Sequence, residues 1–179
     1  QDVIHIGFGL HDKDGHYSVW VGTVMQSILE HTDSKICFHI LHDETVSEEN
    51  KRKLKQVALQ KGDSIQFHFI DTSIFDDVKE RLHRFTVGTM FRLMLPEMLP
   101  NLNKIIYLDA DLFVNRDIKE LWDVDIREYC LAGVIDEGVD IHNSQEEKFV
   151  FLKEQGFDVV EYQRVTAETL TEAVQSFAA

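Results

Sequence analysis

The stretch that most constrains this chain is Lys104-Ile105-Ile106-Tyr107-Leu108-Asp109-Ala110-Asp111-Leu112-Phe113-Val114-Asn115. An apolar run ends abruptly in two carboxylates, Asp109 and Asp111, one residue apart. Such a run predicts a strand buried on both faces, in the middle of a parallel sheet. Carboxylates just past its carboxyl end lie where open α/β sheets bind ligands. In an extended strand, residues two apart have Cα atoms about 6.5–7 Å from each other, too far for two short side chains to grip one ion. If the strand ends at Asp109 and the chain turns, both acids converge on one cation. Hard divalent ions take oxygen ligands and share their shell with substrate phosphates. The same pair also suits a helix cap or a turn, which is the competing reading.

At 179 residues the chain is one domain, or one domain with an appendage, long enough to bury a core. Its net charge of -14 and the lack of a basic stripe exclude a nucleic-acid binder. A phosphate-bearing ligand therefore needs a metal ion or a few placed cations to offset that field. Cys37 and Cys130 both lie in apolar segments and read as buried thiols rather than a disulfide framework or zinc site. There is no run of about 18 apolar residues to span a membrane. No signal-peptide pattern opens the chain, which begins on Gln1, so the expectation is a cytoplasmic protein.

Taken in order, Val3 to Phe8 predicts a strand and the polar run His11-Asp12-Lys13-Asp14-Gly15-His16 a turn. A calcium loop there is rejected, because its glycine would fall on Tyr17. Tyr17, Trp20, Val21, Val24, Met25, Ile28 and Leu29 then recur at helical spacing. Ile36 to Leu41 is the next strand, and Ser47 caps a helix running to about Gln60, with Gly62 at its end. Residues 65–69 alternate as a strand, and 74–82 are amphipathic. From Val87, the residues Met90, Phe91, Met94, Leu95 and Met98 form one helical face, weakened at Pro96 and closed by Pro100. A short helix near Asp117–Trp122 follows, then a buried strand from Leu131 to Ile135 that ends in Asp136. Beyond Gly138 a helix at 145–155, a strand at 158–162 and a helix at 167–177 are expected. Alternating strands and helices predict an α/β fold, a mostly parallel sheet with helices on both faces. Residues 1–137 form its main domain and 138–179 an extra β-α segment or a remainder of that domain. The histidines read as structural. For His39 and His42, beside a strand end, metal binding is the lesser alternative.

Together these pieces resemble glycosyltransferase family 8, which contains glycogenin and lipopolysaccharide galactosyltransferases. The resemblance covers roughly residues 3–137. It rests on Asp14-Gly15-His16-Tyr17 with the helix to Gln26-Ser27-Ile28, on Phe38-His39-Ile40-Leu41, on Phe91-Arg92-Leu93-Met94-Leu95-Pro96, and on Tyr107-Leu108-Asp109-Ala110-Asp111 with Leu121-Trp122-Asp123. It implies a nucleotide-diphospho-sugar transferase fold of the GT-A type. The implied activity is transfer of a sugar from a UDP-sugar donor, with retained anomeric configuration and a manganese (or magnesium) ion at the Asp-x-Asp motif. Position by position, Asp109 and Asp111 resemble the metal ligands, and Ala110 the residue whose backbone lies near the ribose. Asp14 resembles the acid that reads the uracil edge, Tyr17 the aromatic on the base, Arg92 the cation on the donor, and His83 a residue lining the donor pocket.

The physics of these residue types agrees. A diphosphate leaving group gains charge as the glycosidic bond breaks, and a divalent ion stabilises it without proton transfer. Arg92 offers a charge-assisted fork that lysine lacks, and Tyr17 a flat face for a base. Against this, Tyr17 also suits core packing, Asp14 before Gly15 suits any turn, and Arg92 on a helix suits solvent.

Later family motifs are missing: the Asn-Ser-Gly segment, the Asp-Gln-Asp segment, and the His-x-x-Gly-x-x-Lys-Pro-Trp motif with a third metal ligand. Asn143-Ser144 continues into Gln145, and Pro96 and Pro100 are the only prolines. The expectation is a shortened piece of such an enzyme, a naturally short relative that binds without efficient transfer, or a replacement lobe in 138–179. No nucleophile is named by the sequence; Asp136 is a candidate contact for sugar or acceptor. Two rivals remain. One is a non-catalytic nucleotide-sugar-binding or assembly module. The other is a magnesium phosphohydrolase with Asp109 as nucleophile, disfavoured by Phe113 where such enzymes want Thr or Val.

Overall fold

The computed structural model describes residues 3–76 and 86–133. The chain divides into units of residues 1–122 and 123–179. The boundary expected between 137 and 138, the elements expected beyond it, and the end of the amphipathic stretch 74–82 lie outside the described residues.

In the first unit, β1 (Ile4–Leu10), α1 (His16–His31), β2 (Ile36–His42), α2 (Glu48–Leu59) and β3 (Ser64–Phe69) follow one another. With β4 (Ile106–Tyr107) the strands form one sheet in the order β3-β2-β1-β4, parallel at every junction. Every residue of β2 is buried, as a parallel strand covered on both faces should be. Ile4, Ile6, Phe8 and Leu10 of β1 are sealed on one face, and α1 contributes Val21, Val24, Met25, Ile28 and Leu29. Each such side chain, fully buried, stabilises the fold by about 1.5–3 kcal/mol. The expected α1 stripe holds except at its start, where Tyr17 and Trp20 are exposed and meet each other at 4.8 Å between ring centroids.

Helix α1 is capped from a distance. The buried Asp12 carboxylate accepts the N–H groups of Tyr17 at 3.1 Å and Ser18 at 3.0 Å, and the Ser18 hydroxyl as well. Those amides have no partner within the helix, so a carboxylate there meets both the hydrogen-bond deficit and the positive helix end. Gly15 makes the turn between them at φ +85°. At α2 the Ser47 hydroxyl accepts the Asn50 N–H at 3.2 Å, as the sequence predicts.

The face of the sheet away from Ile4, Ile6 and Phe8 carries Gly7, Gly9, His5, Cys37, His39, Leu41 and His68. Its carboxyl half is apolar: Leu41, Ile70, Phe75, Phe91 and Leu95 form one cluster, with Met90, Met94, Ile105 and Tyr107 against it. A row of imidazoles crosses this face obliquely, from His5 near the amino end of β1 through His39 at the middle of β2 to His68 of β3. Nδ1 of His5 lies 2.9 Å from Nε2 of His39, whose Nδ1 lies 3.0 Å from Nε2 of His68. Burial, with the neighbouring rings adding to it, pushes His39 down to about 4.

Two expectations are corrected in this unit. The single helix from Val87 is broken into α3 (Val87–Met90), a 3-10 turn (Phe91–Met94) and α4 (Leu95–Met98). Pro96 opens α4 in the first turn, where its missing N–H costs nothing, so the proline divides the segment instead of merely weakening it. The strand before the acids is short and, among the described residues, stands at one end of the sheet; Leu108 adds one bond from its N–H to the Gly7 carbonyl at 3.0 Å. The short helix α5 (Lys119–Trp122) matches the one expected near Asp117–Trp122.

The described part of the second unit, 123–133, holds no strand. Leu131 is 65% exposed and Cys130 is exposed. Both correct the sequence reading, because an apolar run shows what can be buried, not what is. Arg127 forks onto Asp125 at 2.6 Å, an exposed local pair.

Candidate active site at the carboxyl end of the sheet

Strands β1 and β4 are parallel neighbours, so the loops leaving them emerge at the same edge of the sheet. One carries residues 11–15, the other Asp109 to Asn115. Asp109, Ala110 and Asp111 sit in the turn just past β4; both acids are exposed and Ala110 is half-buried.

Arg92 reaches this turn from the 3-10 segment. Its Nη2 donates to Asp109 Oδ1 at 2.8 Å, and its Nε donates to the Thr89 carbonyl at 3.1 Å. The guanidinium lies over the Tyr107 ring, 4.6 Å from its centroid. Stacking and a planar fork together fix this cation in a way lysine would not reproduce. Burial pushes the Tyr107 hydroxyl up, with Asp109 adding to this while Arg92 and the Gly9 amide oppose it. The phenol comes so close to the first strand that a Cβ built on Gly9 would stand 2.7 Å from it and 2.9 Å from the Gly88 carbonyl. Gly9 thus lets β1, β4 and the 86–98 segment meet.

Asp14 and Tyr17 stand at the start of α1. Asp14 is exposed and pairs with His16, whose ring lies 3.2 Å away; hydrogen bonds from His16 hold the carboxyl below the usual carboxylate range. Tyr17 keeps an exposed ring. The described contacts bring Arg92, Tyr107 and Asp109 together, and leave Asp14 and Tyr17 across the edge without a direct bond to them. His83 and Asp136 lie outside the described residues.

Two neighbouring groups escaped the sequence reading. Asp12, not Asp14, is the buried acid of the first loop. Asp43, just past β2, accepts from His11 at 2.5 Å and from Thr45 at 2.5 Å. Burial alone would raise Asp43, but these bonds outweigh it and hold the carboxyl low. The usable signal was position: an acid directly after the Ile36–His42 strand stands at the ligand-binding edge. A separate cleft of about 430 Å³ lies between α1 and α2, lined by Val19, Gly22, Leu54, Val57 and Phe113. Its lining has none of the acids above and only Glu30 and Lys53 as charged groups.

A parallel α/β sheet with a paired acid at its carboxyl lip is compatible with several phosphate-handling enzymes, and comparison with known proteins shows the class to be the nucleotide-sugar transferase (GT-A) fold. Residues 11–178 match the model of glycosyl transferase family 8, and the chain belongs to that family. A Haemophilus influenzae protein named as a glycosyltransferase is 30% identical over 141 residues, which is 79% of this chain and 42% of that protein. The lipopolysaccharide 1,3-galactosyltransferase of Salmonella typhimurium is 26% identical over 76% of this chain and 40% of its own. Among solved structures, galactosyltransferase LgtC in complex with donor and acceptor sugar analogues superposes with a TM-score of 0.68 at 25% identity, covering 82% of this chain and 51% of LgtC. The chain spans about half or less of the length of these relatives. Nothing in these matches supports the phosphohydrolase reading. No helix among the described residues is long and apolar enough to cross a membrane.

Proposed function

We propose that this chain is the donor-binding part of a retaining glycosyltransferase that moves a hexose from a UDP-sugar to an acceptor. The observation that carries this is the Arg92–Tyr107–Asp109 assembly at the carboxyl lip of a parallel sheet, in a chain of glycosyl transferase family 8. Two relatives named for galactosyl transfer support a hexose donor.

The donor set fits a hard divalent ion, manganese or magnesium. Asp109 and Asp111 offer only carboxylate oxygens, both are exposed, and they flank one residue of a turn. When bound, such an ion supplies a Lewis acid for the charge that develops on the departing diphosphate. In this reading Arg92 adds a charge-assisted contact to that diphosphate, held in place by Tyr107 and the Thr89 carbonyl. Ala110 brings backbone near the ribose, Tyr17 presents an aromatic face to the base and Asp14 an acceptor to its edge. Asp136 is a candidate contact for sugar or acceptor, and the division into a donor-binding domain at 1–137 and an extra segment or remainder at 138–179 belongs to the same proposal. The cytoplasm is its place of action.

Calorimetric titration of UDP into the chain, with and without manganese, tests this. Binding should require the ion and be lost in Asp111→Ala. Equal binding without metal, or full binding by the variant, would overturn it. Release of UDP from UDP-hexose in the same mixture separates the enzyme from a binding module that does not turn over.

A further inference from the structure

At the opposite, amino end of the sheet stands a second set of ligating side chains. His5 and Cys37 are register partners on β1 and β2, and the ring of His39, two residues on, reaches His5 with Nε2 2.9 Å from its Nδ1. One ligand atom from each of the three lies within 4.8 Å of the other two. Cys37 and His39 are buried and His5 is half-buried. The geometry points to a second metal site here, a thiolate–imidazole site for a borderline-soft ion of the zinc class. It is separate from the acidic pair at the carboxyl lip.

Donor chemistry separates the two sites. One sulfur and two imidazole nitrogens select zinc-like ions, whereas carboxylates select manganese or magnesium. Tetrahedral zinc with nitrogen at about 2.0–2.1 Å and sulfur at about 2.3 Å places two such nitrogens and one sulfur roughly 3.3–3.6 Å apart. The three atoms need to close by about an ångström at most, and the His5–His39 contact of 2.9 Å to open slightly. A water completes the shell.

The outer partners are in place. His39 offers Nε2 toward His5, while its Nδ1 lies 3.0 Å from Nε2 of His68. With the ion on Nε2, the His39 proton resides on Nδ1 and is donated to His68, the orienting arrangement typical of metal-bound histidine. Trp122 lies against His5, its ring centroid 6.2 Å away. Binding exchanges waters of the hydrated ion for the Cys37 thiolate and the two imidazole nitrogens, with one water retained; the thiol proton and the displaced waters go to solvent, and an imidazole that carries its proton on the nitrogen it presents shifts to the other tautomer. The resulting positive centre sits in a chain of net charge -14. No zinc-type cysteine spacing announces this site, because its ligands converge only through strand register.

The test uses the full chain, dialysed against chelator and titrated with cobalt(II) while its absorption is followed. A thiolate-to-cobalt charge-transfer band should saturate at one ion per chain and be displaced by zinc. It should vanish in Cys37→Ser and persist in Cys130→Ser and Asp111→Asn. His68→Gln should weaken binding about 10- to 100-fold while the band remains. His5→Gln, at a half-buried position, keeps the test valid if Cys37→Ser fails to fold, and should also weaken binding at least tenfold. Absence of the band, its loss in Cys130→Ser instead, or unchanged affinity in His5→Gln would each overturn the site.

Discussion

Asp12 and Asp14 are the same residue type two positions apart, and folding gives them opposite fates. Asp12 is 2% exposed and takes the Tyr17 and Ser18 amides, while Asp14 lies in solvent beside His16. Removing the first leaves helix donors unsatisfied in the interior; removing the second leaves nothing buried behind. Asp12→Ala should therefore cost about 1–2 kcal/mol, the range for a lost cap, and Asp14→Ala no more than about 0.5 kcal/mol. Urea midpoints of the two variants measure this, and equal shifts would refute the cap. The sequence shows an Asp-Lys-Asp-Gly turn but not which acid turns inward. That choice depends on Ser18, Thr45 and Asn50 converging on Asp12 from three directions. Likewise Arg92 was legible as a cation on a helical face, but its stack on Tyr107 was not, because the face breaks at the 3-10 turn.

At the scale of elements, periodicity carries information only where an element runs unbroken. The α1 stripe and the existence of β1 and β2 could be read from spacing and composition, since a 16-residue helix and two 7-residue strands run unbroken, whereas the register between the strands could not. The 87–98 face repeats just as well, yet Pro96 cannot donate to a carbonyl one turn back and the helix starts anew there. β4 was overread for a related reason. Its apolar run is real, but Tyr107 spends its side chain on the crossing near Gly9 and the chain turns at Ala110. The two glycines of β1 test how tight that crossing is. A Cβ on Gly7 would meet the mobile end of Ile105 at 3.1 Å, whereas on Gly9 it would meet the Gly88 backbone at 2.9 Å. Gly7→Ala should cost under about 1 kcal/mol and Gly9→Ala about 1–3 kcal/mol, with manganese-dependent UDP binding weakened only in the latter. Thermal melts and titrations compare them directly, and a Gly9→Ala protein as stable as the parent would discard the crossing as a constraint.

For the whole molecule, acid should unfold the chain in stages set by β2 and its loop. Burial lowers His42 from its ordinary 6.5, so the unfolded chain takes that proton first and stability falls as pH drops below about 6.5. Asp43 is also held low, so its contribution is full above the usual carboxylate range and is lost as pH falls through and below about 3.8. Urea midpoints should thus decline steadily from pH 7 to pH 3, and Asp43→Asn should flatten the lower stretch; a rise in stability on acidification would contradict both assignments. The overall architecture was open to inference because strand–helix alternation leaves few ways to build a sheet. The row of histidines was not, since residues separated by 34 and 29 positions become neighbours only through pairing.

The phenol wedged beside Gly9 has a historical consequence. Drift at position 9 is blocked twice, by a side chain and by main chain, so even a lineage that first shed the Tyr107 ring would still find the Gly88 carbonyl in the way. Natural variants that alter donor preference must then travel through other positions, and a survey of such lineages should find glycine there long after the surrounding loops have diverged.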